Sequence, residues 1–591
     1  MLSGDFLGSP RFDVRRRIGS GAFGVVYEAF DGVRNATIAI KALRAESSDA
    51  LLRFKREFRS LSDIAHRNLV QLYELIAEGD EWLVTMELIR GKTFVEYVWG
   101  DGPFRFFGTG DVATEIGIEP SDASPEQYPS NSRDSFARAL ERTPAEMKLL
   151  EPALTQLVHG VVALHASGKL HRDIKPSNVL VTSEPRVVLL DFGLVTDTGA
   201  DRTYESIRIA GTPAYMSPEQ AAGLPLTPAS DWYSVGVMLY EALTGDVPFH
   251  GSYLQVLTEK QHSDPPSPSA VVPGVPAELD DLCRDLLLRD PAARPTGDQI
   301  LDRLGRTTRL VTSSGRRKTP SSSSPFVGRQ RHIRLLHEAY NATLSGMQTT
   351  VCVAGPSGIG KTSLMRTFIE QLRQDVPGAI ILTGRCYQRE SVPYKGVDSL
   401  IDALHRVLSR VAPQELEAIL PRDILAAEQL FPVLTDLGDV VRARRRIAVV
   451  PDQQELRRRA LAAMRELFLR LVDRAPVVVA IDDLQWGDVD SAELLKEILR
   501  PPDAPALLFL ASYRAEEEET SPFLRAFLAA GTMREVRLGT LNAEESRQLV
   551  SELVPEATAE IARLIADESG GSPFFIDELV RSLQLADEAT V

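Results

Sequence analysis

Between Arg306 and Pro325 the chain reads RTTRLVTSSGRRKTPSSSSP, with five basic residues, no acidic ones and a run of serines from Ser321 to Ser324. A segment with so little apolar material cannot offset the entropy of ordering it, so it predicts a flexible basic linker, and no single hydrophobic core can run through it. The 591 residues therefore divide into two folded regions, 1–305 and 326–591. A second break, about 98–145, is rich in Gly, Pro, Ser and Asp and carries nine acids against four bases between Asp101 and Glu146; it reads as an insertion within the first region. Two readings of the insertion stand side by side. One is a disordered surface loop, which costs little entropy to lengthen. The other is a docking segment, because Trp99, Phe104, Phe106 and Phe107 are more aromatic than a spacer requires.

Composition narrows the function classes. With 43% hydrophobic and 25% charged residues, the chain is of the ordinary soluble globular kind. Lys plus Arg number 66 and Asp plus Glu 82, so the formal charge is 66 − 82 = −16, which argues against nucleic acid as a partner, since phosphate-backbone binding needs a basic face. The three cysteines, Cys283, Cys352 and Cys386, lack paired short spacings and are expected to be free thiols in a reducing cytoplasm. Met1 to Pro10 has neither a basic n-region nor an apolar h-region, and no run approaches about 18 apolar residues, so neither export nor a membrane span is expected.

Hydrophobic periodicity separates the two regions. The first opens with strand-like runs, Ala36 to Leu43 and Trp82 to Leu88, around one helical pattern at Leu51, Phe54, Phe58 and Leu61. After the insertion the patterns turn helical, the strongest running through Met147, Leu150, Leu154, Val158, Val161 and His165. In the second region, buried-type strands at Thr350 to Ala354, Ala379 to Leu382, Val477 to Ile481 and Leu507 to Ala511 alternate with helical stretches, which implies a parallel sheet covered by helices.

In the first region, Gly19-Ser-Gly21-Ala-Phe-Gly24-Val-Val26 places glycines where backbone can approach phosphates, and Lys41 on a strand and Glu57 on a helix follow at a distance that allows them to pair. Then come His171-Arg-Asp173-Ile-Lys175-Pro-Ser-Asn178, Asp191-Phe-Gly193 and Gly211-Thr-Pro-Ala-Tyr-Met-Ser-Pro-Glu219. Taken in this order, these residues resemble the protein kinases, and the phrase GTPAYMSPEQ is most similar to bacterial eukaryotic-type Ser/Thr kinases. The resemblance implies an α+β bilobal kinase fold. It gives Asp173 the proton of the attacking hydroxyl, Lys175 the charge on the transferred phosphoryl, and Asn178 and Asp191 magnesium. Met86 would be the gatekeeper before a hinge, Glu87 to Ile89, whose backbone meets adenine. Asp231 would brace the catalytic loop, and Glu219 and Arg294 would form a buried ion pair. Thr196, Thr198, Thr203, Tyr204 and Ser206 are open as phosphorylation sites that could order their loop through Arg172, Thr203 and Ser206 being favoured.

In the second region, Thr350-Val-Cys-Val-Ala-Gly355-Pro-Ser-Gly-Ile-Gly360-Lys361-Thr362 is a strand, a G-x-x-x-x-G-K-T loop and a helix start. Backbone N–H groups of such a loop wrap phosphates, Lys361 reaches the terminal ones, and the Thr362 hydroxyl coordinates magnesium. The strand Val477 to Ile481 ends in Asp482-Asp483, an acidic partner for the metal. With Phe326-Val-Gly-Arg329, Asp483-Leu-Gln-Trp486-Gly-Asp488 and Gly570-Gly571-Ser-Pro573, this resembles the STAND branch of AAA-like ATPases, an α/β P-loop fold with a parallel sheet and the start of a helical lid. The resemblance implies Val327 and Pro573 beside adenine, Asp482 on magnesium, Asp483 orienting water and Arg514 as a sensor of the terminal phosphate. Two departures point to slow or absent hydrolysis: Gln330-Arg331-His332 replaces the usual acidic run, and Asp483 is shorter than the Glu of many hydrolytic relatives. The family continues past the lid turn with a winged-helix element and superhelical repeats, so a short protein or a fragment is expected.

These readings converge on a cytoplasmic Ser/Thr protein kinase, using ATP with Mg2+ (Mn2+ as a substitute ion) on protein Ser/Thr hydroxyls, coupled to an ATPase switch that self-associates. The alternative is an ATP-gated oligomeric scaffold whose kinase mainly phosphorylates itself, with Thr319 and Ser321 to Ser324 in the basic linker as targets.

Overall fold

The computed structural model describes residues 6, 8–21, 24–44, 48–78, 81–99, 144–190, 196–197, 212–307, 325–437, 452–529 and 533–588. Most of the insertion (100–143), the Ser-rich stretch (308–324), Asp191 and the phosphorylation candidates Thr198, Thr203, Tyr204 and Ser206 lie outside the described residues. The chain separates into two compact units: the first holds residues 1–44, 53–74 and 81–316, the second residues 317–591 together with 45–52 and 75–80. Each is taken by itself.

The first unit's sheet runs through β1 (Phe12–Gly21), β2 (Gly24–Asp31), β3 (Ala36–Arg44), β4 (Leu72–Glu78) and β5 (Glu81–Met86), with α1 (Ser48–Leu61) between β3 and β4; residues 48–52 of α1 and 75–78 of β4 are grouped with the second unit. The strands lie side by side in the order β1-β2-β3-β5-β4. Ile38, Ala39, Ile40, Lys41 and Ala42 are all buried, so β3 is covered on both faces, which is why it reads as a continuous apolar run rather than an alternating one. In α1 the pattern at Leu51, Phe54, Phe58 and Leu61 is the buried stripe.

The helical part contains α2 (Phe94–Trp99), α3 (Pro144–Ala166), α4 (Pro218–Ala221), α5 (Pro228–Thr244), α6 (Tyr253–His262), α7 (Pro268–Val271), α8 (Ala277–Leu286) and α9 (Gly297–Thr307). Trp99 of the insertion's aromatic cluster is buried at the end of α2, whereas Phe104, Phe106 and Phe107 lie outside the described residues. The helix α5 starts at a Thr227/Ser230 capping box and stops at Gly245, whose φ of 85° closes the last turn. Its Gly236 lets α8 approach closely, since a Cβ there would lie 2.7 Å from the Cβ of Leu286. Arg294 and Glu219 form a bidentate pair at 2.7 and 2.8 Å, with the Arg294 side chain fully buried.

The second unit is built on five parallel strands, β6 (Thr349–Gly355), β7 (Ile380–Arg385), β8 (Val477–Asp482), β9 (Leu508–Arg514) and β10 (Arg534–Arg537), in the order β7-β8-β9-β6-β10. Four match runs read from the sequence. The fifth, β10, carries no apolar run: in Arg534-Glu535-Val536-Arg537 only Val536 is buried, and its pairing with β6 makes it a strand. Helices cover the sheet, among them α10 (Gln330–Leu344), α11 (Lys361–Asp375), α12 (Lys395–Leu408), α13 (Gln453–Val472) and α14 (Val489–Leu499). Beyond β10, α15 (Ala543–Leu553), α16 (Ala559–Glu568) and α17 (Pro573–Glu588) share a separate small core of Leu541, Val550, Ile565, Ile576 and Val580, which Val327 joins.

The Glu219–Arg294 pair makes the fold testable. Burial works against the Glu219 carboxylate, but two hydrogen bonds from Arg294 and one from Ser230 hold its pKa below the ordinary value. A lowered folded pKa means that the pair stabilises fully above the ordinary carboxylate range and loses its contribution as pH falls through Glu219's own pKa. At neutral pH, Arg294→Met leaves a buried charge unpaired and is expected to cost about 3–5 kcal/mol. The measurement is the midpoint of the first unit's transition in a denaturant melt of the full chain.

Candidate functional site

The first unit gathers its chemistry around the turn that precedes the short helix Pro176–Asn178. Asp231, on α5 and 1% exposed, accepts the backbone N–H of His171 and of Arg172, each at 2.8 Å, and His165 Nε2 lies 2.8 Å from its Oδ2. Burial opposes the charge on Asp231, yet these donors keep its pKa below the ordinary value. Arg172 takes a φ of 67°, an uncommon conformation for a side-chain-bearing residue, and Gln220 Nε2 donates to its carbonyl at 3.0 Å.

Asp173 then faces Lys175 and Asn178. Lys175 Nζ lies 2.8 Å from Asp173 Oδ2 and donates to Thr212 Oγ1 at 3.1 Å, while Asn178 Nδ2 donates to the Asp173 carbonyl at 2.8 Å and to its Oδ2 at 3.2 Å. In the strands, Lys41 is buried and its Nζ meets Glu57 Oε1 at 2.8 Å. Val26 is the cross-strand partner of both Gly19 and Lys41, and Gly21 is the partner of Gly24. Gly24, at φ 128°, is demanded by packing, since a Cβ there would stand 2.4 Å from the Ala42 carbonyl oxygen. Met86 ends β5 opposite Ala39. The Glu87 N–H is taken by the Gln71 carbonyl at 2.9 Å, its carboxylate pairs with Arg186, and Ile89 is half-buried. His165 belongs to the helical pattern of α3 and Gln220 ends the phrase GTPAYMSPEQ, but nothing local gives either a role in the site; only their meeting with Asp231 and Arg172 does.

In the second unit the phosphate loop lies where β6 ends, and Asp482 and Arg514 end β8 and β9, all at the carboxyl edge where open α/β sheets hold ligands. Gly360 has a φ of 96° and a Cβ built on it meets nothing within 4 Å, so the loop keeps both the bend and the room that a phosphate needs. Lys361 Nζ donates to the carbonyls of Gly355 and Pro356, each at 2.8 Å, and burial lowers its pKa. Thr362 Oγ1 donates to Asp482 Oδ2 at 2.7 Å, and Ser512 donates to the other oxygen. A hydroxyl beside a carboxylate is a hard oxygen donor set that suits magnesium.

Asp483 has both carboxylate oxygens engaged. At φ 58° it turns its carboxylate to Arg385 Nε, 3.0 Å from Oδ2, and to Gln485 Nε2, 2.9 Å from Oδ1. The Arg514 guanidinium lies 5.6 Å from the Trp486 ring centroid. Pro573 opens α17, and the next residue lies against the phosphate loop: a Cβ on Gly358 would stand 2.7 Å from the Phe574 Cβ. Arg329 reaches the Gly539 carbonyl at 2.7 Å and the Ile359 carbonyl at 3.3 Å, tying the loop to the approach of the small helical core. Among the described residues no cluster of three or more His, Cys, Asp or Glu could hold a metal, and no helix is long and apolar enough to cross a membrane.

Residues 12–304 match the family model for protein tyrosine and serine/threonine kinases, and residues 325–510 match that for the AAA ATPase domain. The serine/threonine-protein kinase PknL of Mycobacterium bovis is 32% identical over 288 residues, covering 48% of this chain and 62% of PknL. Serine/threonine-protein kinase PrkC of Bacillus subtilis is 29% identical over 290 residues, 48% of this chain and 38% of PrkC. PkaA of Streptomyces coelicolor, also a serine/threonine-protein kinase, is 32% identical over 304 residues, 48% of this chain and 47% of PkaA. The chain thus spans less than two thirds of the length of each of these relatives. It carries a protein kinase domain, similar to those of bacterial serine/threonine kinases, followed by an AAA ATPase domain.

Proposed function

We propose that the chain transfers the γ-phosphoryl group of ATP to serine and threonine hydroxyls of proteins, in the cytoplasm and without nucleic acid, and that its AAA domain is a nucleotide switch regulating this transfer. The observation that carries the kinase reading is the Asp173–Lys175–Thr212 chain of contacts, with Asn178 on the same carboxylate. Bound Mg-ATP supplies the phosphoryl group and a metal that neutralises its oxygens. Asp173 would accept the proton of the acceptor hydroxyl as the new O–P bond forms and the bond from the γ-phosphorus to the bridging oxygen breaks, ADP leaving, and Lys175 would steady the negative charge. Lys41, held by Glu57, would bind the nucleotide phosphates together with the glycines of β1 and β2, the hinge at Glu87 and Ile89 would take the adenine, and Asn178 and Asp191 would hold the metal. Among the described residues Arg172 Nε is buried without a hydrogen-bond partner, which supports a role in pairing with a phosphorylated residue of the 194–210 loop.

In the second unit Lys361 and Thr362 are the phosphate and metal ligands, Asp482 joins Thr362 on the metal, Arg514 senses the terminal phosphate, and Val327 and Pro573 flank adenine. The STAND reading is supported by Val327 packing in the small helical core and by Phe574, at the start of α17, lying against Gly358 of the G-x-x-x-x-G-K-T loop. Switching requires that ATP and ADP favour different contacts there, and self-association would bring kinase domains together.

The experiment is transfer from γ-labelled ATP to the chain itself and to a generic protein substrate, alongside size exclusion. Asp173→Asn is expected to lower transfer by roughly 10²- to 10⁴-fold with the fold retained; undiminished transfer removes the kinase assignment. Lys361→Ala is expected to change both transfer and oligomer size, and indifference of both leaves the two domains merely tethered. Arg385→Ala frees one oxygen of Asp483 and is expected to raise phosphate release by the second unit about fivefold, the effect of losing a part-exposed ion pair worth roughly 1 kcal/mol. Unaltered release in that variant means that Arg385 does not restrain Asp483.

A further inference from the structure

On α6, Lys260 is 0% exposed, and its ammonium donates to three backbone carbonyls: Pro213 at 2.6 Å, Met216 at 2.7 Å and Ala214 at 3.2 Å. No carboxylate is among these partners, and the Tyr233 ring centroid is 5.7 Å away. Burial pulls the pKa of this amine down to about 7, so a lysine here costs stability that an apolar residue would not. Such a residue is explained by what its donors hold in place.

They hold the loop that follows Thr212. The carbonyls of Pro213, Ala214 and Met216 go to Lys260, and that of Tyr215 accepts the Ser234 hydroxyl at 2.8 Å. Side chains from α5 and α6 therefore satisfy four successive carbonyls that no helix or strand pairs. An ammonium offers three protons spread around one axis, which is what three converging carbonyls require, whereas the neutral amine has only two. Apolar contact works with it, since Met216, Ala221 and Leu257 form a small core between the loop, α4 and α6. The Tyr215 hydroxyl is tied to Glu241 at 2.7 Å. At its other end the loop begins with Thr212, which accepts from Lys175, the partner of Asp173. Ala214 and Tyr215 are half-buried, whereas Pro213 and Met216 on either side are buried.

We propose that Lys260 is a positioning residue for the protein substrate: by gathering three carbonyls it shapes the Pro213–Met216 loop into the surface that receives the acceptor segment next to Asp173. This rests on the kinase reading above. Lys260 touches neither nucleotide nor reacting atoms, so its removal weakens the grip on the acceptor and leaves the nucleotide site intact.

The test uses the full chain, with γ-labelled ATP and myelin basic protein as probe substrate, and compares wild type with Lys260→Met and Lys260→Arg. For Lys260→Met the KM for the protein substrate is expected to rise about tenfold, the effect of losing hydrogen bonds to a charged donor. The KM for ATP and the affinity for a fluorescent ATP analogue should stay within about twofold. Lys260→Arg, which keeps the charge but spreads its donors in a plane, should recover part of the loss. An unchanged protein-substrate KM in Lys260→Met overturns the proposal. So does a parallel fall in kcat, ATP affinity and unfolding temperature that Arg does not relieve, because that is what a merely structural lysine would give. If Lys260→Met does not fold, Lys260→Gln decides between the same two outcomes. A wild type that transfers no phosphate overturns the kinase reading itself, and this proposal with it.

Discussion

The Asp231 carboxylate is the contact on which the first unit's chemistry rests. The residues from His171 to Asn178 have little regular structure of their own, and backbone in that condition needs partners for its N–H groups or it will not hold a shape. A single buried carboxylate on the long helix α5 accepts two consecutive N–H groups, one on each oxygen, and His165 from α3 meets the oxygen that takes the His171 N–H. That geometry obliges Arg172 into a left-handed conformation, and the bend aims Asp173 toward Lys175 and Asn178. A helix buried on nearly every side gives Asp231 a rigid base, so the loop inherits the order of the core.

The same logic recurs in the loop after Thr212, where side-chain donors stand in for missing backbone pairing, and it differs from the solution in the second unit. There a parallel sheet supplies fixed strand ends, and the phosphate loop, Asp482 and Arg514 converge because β8 and β9 lie in succession beside β6. The polar groups of that site satisfy one another: Lys361 caps two carbonyls of its own loop, Thr362 meets Asp482, and both Asp483 oxygens are engaged. In the proposed switch, a nucleotide would exchange these contacts for contacts to its phosphates.

Much of this was legible one residue at a time. The stripe in α1, the buried runs of β6, β8 and β9, and the G-x-x-x-x-G-K-T turn are short-range patterns whose period or spacing is itself the physical requirement. Asp173, Lys175 and Asn178 lie within six residues of one another, so their proximity follows from the local chain. What escaped was long-range or weakly patterned. The strand β10 has a single buried residue, so it carries no hydrophobic signal. Lys260 lies 44 residues beyond Met216, and Arg385 98 residues before Asp483, and each reads in the sequence as one more charged residue on an element.

Local order along the chain thus determines which candidate groups come together, because the G-x-x-x-x-G-K-T loop and the Asp173, Lys175 and Asn178 cluster are each contiguous by construction. It also settles which stretches are strands and helices wherever the burial pattern is regular. Packing alone settles how those groups are held and which are engaged: that Asp231 braces the turn, that Lys260 collects the Pro213–Met216 carbonyls, and that Asp483 is occupied by Arg385. Such contacts join residues far apart in sequence, and their energy depends on distances of a few ångströms between buried groups, a quantity that exists only once the elements have come together.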